Sequence, residues 1–158
     1  MKNLILFLIS VFMVSACSTT LPAVDPSETL VDKADAIYIL TNDEPEDAYR
    51  RIAQIITDHG YTIENSDPTL LIFNTEYKMD SIAGGMMSFS MNINVSVRNE
   101  DNNDSIIKLT AKWSRNGSTP KKIYNDGSKL DVRTKGWETL TSIAESYQNT
   151  TIEYSRNI

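Results

Sequence analysis

The chain has 158 residues, a formal net charge of −6 at pH 7 and one cysteine. This length suits a single domain that buries a core of its own. A lone cysteine excludes a disulfide within the chain, so the fold has to stand without covalent cross-links. The acidic balance makes nucleic acid a poor partner, and it indicates no basic patch for anionic lipid head groups.

The first seventeen residues have the layout of a secretory signal peptide. Lys2 supplies a positive charge, residues 4–12 form an apolar run, and small residues lead up to Cys17. Crossing the hydrocarbon core would take about 20 apolar residues, and this run is shorter. We therefore expect residues 1–16 to be cleaved off as a signal peptide.

The segment Val14-Ser15-Ala16-Cys17 resembles the lipobox of bacterial lipoproteins, in which an aliphatic residue and two small residues precede a cysteine. The resemblance implies that Cys17 becomes the lipidated N-terminus, so that acyl chains attach the protein to a membrane. An ordinary cleaved signal would instead leave Cys17 as a free thiol or a buried core cysteine, but the polar residues that follow give it no core to enter. Ser18 stands where an aspartate would favour the inner membrane, so we expect the outer membrane, at its periplasmic face or its surface.

The folded domain is expected to begin after a flexible tether. Residues 17–34 are assigned to the lipidated cysteine and this tether, because Pro22 and Pro26 disfavour both helix and central strand. Residues 36–40 are rich in β-branched and aromatic side chains and predict the first strand.

A helix is predicted next, with Asp43 as its N-cap, Pro45 in its first turn and Gly60 closing its end. Its apolar side chains recur at helical spacing and form one stripe: Ala48, Ile52, Ile55 and Ile56. His59 is the only histidine of the chain. In the last helical turn it is better explained as a cation near the terminal carbonyls than as a general base or a metal ligand.

Four strands are predicted after this helix, at residues 61–64, 69–78, 86–98 and 106–113. The turns between them are placed at residues 65–68, 80–85 and 99–104. Residues 86–98 alternate apolar and polar side chains, which is typical of an antiparallel strand with one face buried. The odd-numbered residues are therefore expected in the core and the even-numbered ones on an outer polar face.

The C-terminal third predicts a second helix at residues 131–147. Gly136 is expected to weaken that helix by about 1 kcal/mol relative to alanine. Residues 121–124 are compatible with a short edge strand or a loop. The folded domain is placed at residues 35–150, and the polar tail at residues 151–158 is expected to fray.

The predicted order is β-α-β-β-β-β-α, which gives a two-layer α+β sandwich with an antiparallel sheet of four to five strands packed by two helices. Over residues 36–147 this order resembles the small helix-over-meander domains of envelope lipoproteins such as component C of the outer-membrane β-barrel assembly machinery. The resemblance implies a protein-binding accessory, and it assigns a role to no residue.

No catalytic constellation is recognisable in the sequence. No serine stands in a Gly-x-Ser-x-Gly elbow, and the lone His59 has no histidine or cysteine partner for a zinc site. Residues 101–104 lack the frame of a calcium-binding loop, and a hairpin turn accounts for them. We therefore expect no cofactor, no metal and no enzyme activity.

Two binding surfaces follow from the predicted strands. The mobile, methionine-containing loop with Ile82, Met86 and Met87 predicts a docking surface for another envelope protein. The alternative is a small-ligand site on the polar face of the sheet, formed by Asn74, Ser90, Asn92, Asn94 and Thr110. An ordinary hairpin connection and a solvated sheet face would account for the same residues.

Overall fold

The structure is a computed structural model that describes residues 33–82, 85, 87–100, 104–125 and 131–156. The predictions for residues 1–32, including the signal peptide and Cys17, lie outside the described residues. Residues 83–84 and Met86, in the predicted methionine-containing loop, and residues 101–103, in a predicted turn, lie outside them as well.

The described residues form eight strands and two helices. The strands are β1 (Ala36–Thr41), β2 (Ile63–Asp67), β3 (Ile72–Thr75), β4 (Lys78–Ile82), β5 (Met87–Asn99), β6 (Ser105–Ser114), β7 (Lys121–Lys122) and β8 (Thr151–Ser155). The helices are α1 (Pro45–Asp58) and α2 (Val132–Glu145).

All strand pairs are antiparallel, and the sheet has the order β2-β3-β5-β6-β1-β8. Two short strands extend the sheet where longer neighbours end. β4 pairs with β5 beyond the end of β3, and β7 pairs with β6 beyond the end of β1. Both helices pack on one face of this sheet. The predicted α+β class is confirmed, with a larger sheet than the four to five strands expected.

The core lies between the helices and the inner face of the sheet. Its central rows come from β5 and β6, whose odd-numbered residues are buried: Phe89, Met91, Ile93, Val95, Val97, Ile107, Leu109 and Ala111. From α1 the buried residues are Ala48, Ile52 and Ile56, and Ile55 is half-buried. The alternation read from the sequence therefore places both strands correctly, because burial of one face imposes a period of two.

Helix α1 differs from the prediction at its start. Glu44, not Asp43, is the N-cap residue, and its side chain makes no capping hydrogen bond. Pro45 occupies the first turn as predicted, where its missing N–H costs nothing. Gly60 has φ +79°, and the N–H groups of Gly60 and Tyr61 donate to the carbonyls of Thr57 and Ile56. This is a Schellman end, which confirms the predicted role of Gly60.

The turn after β2 lies later in the chain than residues 65–68, where the sequence predicted it. Asn65 and Ser66 belong to β2, and the reversal runs from Pro68 to Leu71, which has φ +52°. Asp67 fixes it, because its Oδ1 accepts from the N–H groups of Thr69 at 2.9 Å and Leu70 at 3.0 Å. The turn chemistry was recognised correctly, but its place was wrong by about three residues.

The long strand predicted at residues 69–78 is two strands, β3 and β4, with a break at Glu76 and Tyr77. At this break the buried Thr75 hydroxyl accepts from the Ile93 N–H at 3.0 Å and donates to the Glu76 carbonyl at 2.9 Å. The hydroxyl thus replaces the ladder bonds that the break interrupts. Strand β4 then continues to Ile82, into the stretch predicted as a turn.

The prediction that the polar tail frays was also wrong. Residues 151–155 form β8, which pairs with β1 over Ala36–Leu40 rather than fraying. Ile152 and Tyr154 pack against the core from this strand. Residues 121–122 form the short edge strand β7, one of the two structures that the sequence allowed for residues 121–124. The alternative was a loop.

Candidate functional site on the outer face of the sheet

The outer face of the sheet, opposite the helices, carries most of the polar residues predicted as a ligand face. Asn74 pairs with Asn94, and Asn94 pairs with Thr110, so that these three side chains form one row across β3, β5 and β6. All three are half-buried. Cross-strand neighbours of this kind lie about 5 Å apart, close enough to contact one ligand.

Asn92 and Ser90 extend the same face along β5. Asn92 is only 8% exposed, and its Oδ1 has no hydrogen-bond partner among the described residues. It pairs with Lys112 of β6, while Ser90 pairs with Met79 of β4. A buried acceptor without a partner costs free energy, so Asn92 is the residue of this face with the most to gain from a bound donor.

A depression of about 370 Å³ opens beside the asparagine row. Strands β2, β3 and β5 line it, with Asn65, Asp67, Ile72, Asn74 and Asn94 among its residues. Asn74 Nδ2 donates to Glu64 Oε2 at 3.1 Å, which fixes the amide at the rim. The volume matches that of small-molecule sites, and Ile72, Phe73 and Val95 line it together with the amides and one carboxylate.

An apolar line runs along the chain from the turn before β3 into β4. It consists of the four exposed large hydrophobic residues of the described part of the chain: Leu70 (63%), Ile72 (41%), Tyr77 (43%) and Met79 (73%). Ile72 pairs with Ser96 and Met79 with Ser90, so the line follows β5 over several residues. No local sequence signal separates these residues from core residues. Only the fold shows that they face solvent.

The loop predicted as a docking surface exposes less apolar surface than the sequence prediction requires. Ile82 and Met87 pair at the end of the β4–β5 ladder, and both are half-buried. Ile82 packs against the core. Met86 lies outside the described residues. The exposed apolar surface next to this loop is therefore Met79, three residues before Ile82.

Three lysines gather on the other half of the outer face. Lys108, Lys112 and Lys122 border a depression of about 250 Å³ together with Asp35, Thr110 and Ala111. The expectation that the domain has no basic patch is therefore wrong at this place. A net charge of −6 describes the whole chain and conceals a cluster whose members come from two strands.

His59 is the C-cap of α1, and its Nε2 lies 3.1 Å from Ser146 Oγ at the end of α2. This pair joins residues 87 positions apart and could not be read from the sequence. Ser146 Oγ also donates to the Ser142 carbonyl at 2.8 Å, so His59 is placed to donate to the hydroxyl. A helix C-terminus opposes a developing oxyanion, which argues against a nucleophilic serine here.

The predicted cation at the end of α1 is Lys78 rather than His59. Its Nζ donates to the His59 carbonyl at 2.7 Å and lies 4.7 Å from the centroid of the Tyr61 ring. Over the described residues, no three His, Cys, Asp or Glu side chains are grouped to hold a metal ion. Neither described helix is long and apolar enough to cross a membrane.

No family model matches this chain, and no curated protein matches it. Among solved structures, the chain is similar to a DUF4468 family protein from Bacteroides ovatus. The two share 11% sequence identity with a TM-score of 0.37, and the match covers 78% of this chain and 86% of that chain.

Proposed function

We propose that this protein is a cell-envelope lipoprotein without enzyme activity, held at the outer membrane by a lipid on Cys17, whose domain docks on another envelope protein. The lipobox-like residues 14–17 support the anchor. The apolar line Leu70, Ile72, Tyr77 and Met79 is the observation that supports docking.

The apolar line differs from scattered surface hydrophobics in being concentrated in one short segment. Single exposed apolar residues are normal, whereas grouped ones mark interaction surfaces. Here all four lie within ten consecutive residues, from the turn before β3 into β4. Among the described strands β4 pairs only with β5, so its second edge also offers free backbone groups. A partner segment that adds to this edge would cover Met79 and gain main-chain hydrogen bonds.

Photo-crosslinking in intact cells tests the docking surface. A photoreactive residue at Met79 or Ile72 of the full-length protein is expected to give a discrete protein adduct. The same probe at Gln54, exposed on α1, is the matched control and should give none. Identical adducts from Met79 and Gln54, or none from Met79 and Ile72, would contradict docking at this edge.

A substitution at the same edge separates docking from folding. Met79→Asp removes the most exposed member of the apolar line, at 73% exposure, and should leave the melting temperature unchanged. Partner recovery from cross-linked cells should be lost. Recovery at the wild-type level with Met79→Asp would exclude this residue from the interface.

The anchor has its own test. Cys17→Ala should shift the protein from the membrane fraction to the soluble fraction, and the mature wild-type protein should begin at an acylated Cys17. Mass spectrometry of the N-terminal peptide reads this directly. A wild-type protein that keeps residues 1–16, or has an unmodified Cys17, would contradict the proposed anchor.

A second candidate function is small-ligand binding on the outer face. The depression of about 370 Å³ favours it, and so does, outside that depression, the Asn92 Oδ1, which has no hydrogen-bond partner within the described part of the chain. A thermal-shift screen of cell-wall fragments, sugars and lipids should then find a ligand that stabilises the wild-type protein, and Asn94→Ala should reduce the shift. If no compound stabilises the protein, the outer face is a solvated surface.

A further inference from the structure

Strand β7 places two lysines side by side on the outer face. Lys122 pairs with Lys112 of β6, and paired residues of a sheet point to the same side. Like charges at directly opposite positions destabilise a sheet. Lys112 has no hydrogen bond or ion pair among the described contacts, so nothing described there offsets its charge.

The one carboxylate among the described residues that border this depression is already engaged. Asp35 Oδ2 lies 3.0 Å from Lys122 Nζ, and the Asp35 side chain is 10% exposed, while that of Lys122 remains 64% exposed. Lys108 stands four residues before Lys112 on the same face of β6. Among the described residues that border the 250 Å³ depression, three are cations and one is an anion.

The tether joins the domain beside these lysines. The Lys33 N–H donates to the Asn125 carbonyl at 2.6 Å, and the Asn125 N–H donates to the Ala34 carbonyl at 2.8 Å. Residues 33–35 thus run next to the segment that follows β7. The described part of the chain therefore begins close to the lysine cluster.

We propose that Lys112 and Lys122, with Lys108, face the anionic phosphates of the lipid surface that holds the Cys17 acyl chains. This rests on the proposed lipid anchor. A tether of about 16 residues spans at most about 55 Å, so the anchor keeps the domain near the bilayer without orienting it. Each lysine near an anionic surface favours the apposed state about fivefold, which lets the cluster select one orientation.

In that orientation the second edge of β4, unpaired among the described strands, stays accessible at the side of the sheet. β4 lies on the far side of β5 from β6, about two strand spacings or roughly 10 Å from Lys108 and Lys112. Ile72 shares the outer face with these lysines, because it pairs with Ser96 and Ser96 pairs with Lys108, so this member of the apolar line faces the bilayer with them. A protein embedded in the same membrane can then add to β4 while the lysines rest on the lipid.

Lysine acetylation of the membrane-bound protein tests the proposal. The full lipid-modified protein is reconstituted in vesicles of phosphatidylcholine, or of phosphatidylcholine with phosphatidylglycerol at about one part in three, and labelled sites are read by mass spectrometry. Acetylation of Lys112 and Lys122 should slow about fivefold in the anionic vesicles and recover in about 0.5 M salt, because salt screens the attraction. Lys135 on α2 is the control and should label equally in both.

Two variants sharpen the result. Lys112→Gln should weaken the protection of Lys122, and Lys135→Gln should leave it unchanged. Equal labelling of Lys112 in both vesicles would overturn the proposal. Protection by free phosphate on phosphatidylcholine vesicles would also overturn it, since the lysines would then serve a soluble anion. An unmodified Cys17 in the same mass spectra would overturn the anchor as well, whereas an acylated protein with unprotected lysines would overturn only this proposal.

Discussion

Tyr147 donates its hydroxyl hydrogen to Asp43 Oδ2 at 2.6 Å across 104 residues of sequence. Arg51 Nη1 approaches the same oxygen at 3.0 Å, and its guanidinium lies 4.4 Å from the centroid of the Tyr147 ring. Asp43 therefore links the start of α1 to the end of α2 rather than capping α1. The tyrosine hydrogen bond is the main reason why the pKa of Asp43 lies below its ordinary value of 3.8.

Removing this hydroxyl should destabilise the fold. Tyr147 is buried and the bond is made to a charged acceptor, so Tyr147→Phe is expected to lower the free energy of unfolding at pH 7 by about 1.5 kcal/mol. Tyr154→Phe is the matched control, because the Tyr154 hydroxyl makes no hydrogen bond among the described residues. It should change stability by less than about 0.5 kcal/mol in urea titrations. Equal losses in the two variants would contradict the argument.

The same contact fixes the sign of a pH dependence. Because the folded-state pKa of Asp43 is lowered, its contribution is present above about pH 5 and is lost as the pH falls through 3.8 toward the folded value. The wild type should therefore lose more stability than Tyr147→Phe between pH 7 and pH 3. Parallel pH profiles of the two proteins would show that Tyr147 does not control this carboxylate.

Gly136 should be required by packing, although a glycine within a helix costs about 1 kcal/mol. A Cβ at this position would overlap Ile123 Cδ1 and lie 3.0 Å from Met91 Sδ, and both neighbours are buried. Gly136→Ala is thus expected to destabilise the protein by about 1–3 kcal/mol despite the better helix propensity. Thermal and urea unfolding measure the change.

A second substitution isolates the cause. Ile123→Val deletes the overlapping Cδ1 and alone should cost about 1 kcal/mol. Combined with Gly136→Ala it should restore part of the loss, so that the double variant is more stable than the sum of the single effects predicts. Additive effects would show that Gly136 is required for its backbone conformation and not to avoid overlap with Ile123.

Local sequence patterns correctly predicted elements whose position depends on neighbouring residues alone. β5 was expected at residues 86–98 and lies at Met87–Asn99, because one buried face imposes strict alternation. Gly60 could be recognised as a helix end, because its positive φ favours glycine over all other residues.

The rest depended on contacts between distant residues. β8 could not be predicted from its own composition, since its place follows from the open edge of β1 about 110 residues earlier. The apolar line is spread over a turn and two short strands, and Lys112 and Lys122 become neighbours only through the β6–β7 pairing. The candidate binding surfaces of this protein thus arise from strand pairing in the sheet, and no single sequence segment reveals them.

The pairing of β8 makes Ile152 a stabilising residue in a segment that looks like a tail. Ile152 pairs with Ile39, packs against the core and is half-buried. Ile152→Ala should lower the free energy of unfolding by about 1–2 kcal/mol, below the loss at a fully buried site. Thr151→Ala, at an exposed position of the same strand, is the control with a change under about 0.5 kcal/mol. If both variants match the wild type, the strand contributes nothing to the core.

The break between β3 and β4 should depend on one hydroxyl. Thr75 is fully buried, and its Oγ1 serves the Ile93 N–H and the Glu76 carbonyl at once. Thr75→Val keeps the shape but leaves two backbone groups unpaired, which is expected to cost about 2 kcal/mol. Thr110→Val on the outer face is the matched control, since its hydroxyl makes no hydrogen bond among the described contacts. Hydrogen exchange at the Ile93 amide should accelerate in Thr75→Val alone, and an unchanged rate would show that the hydroxyl does not hold the break.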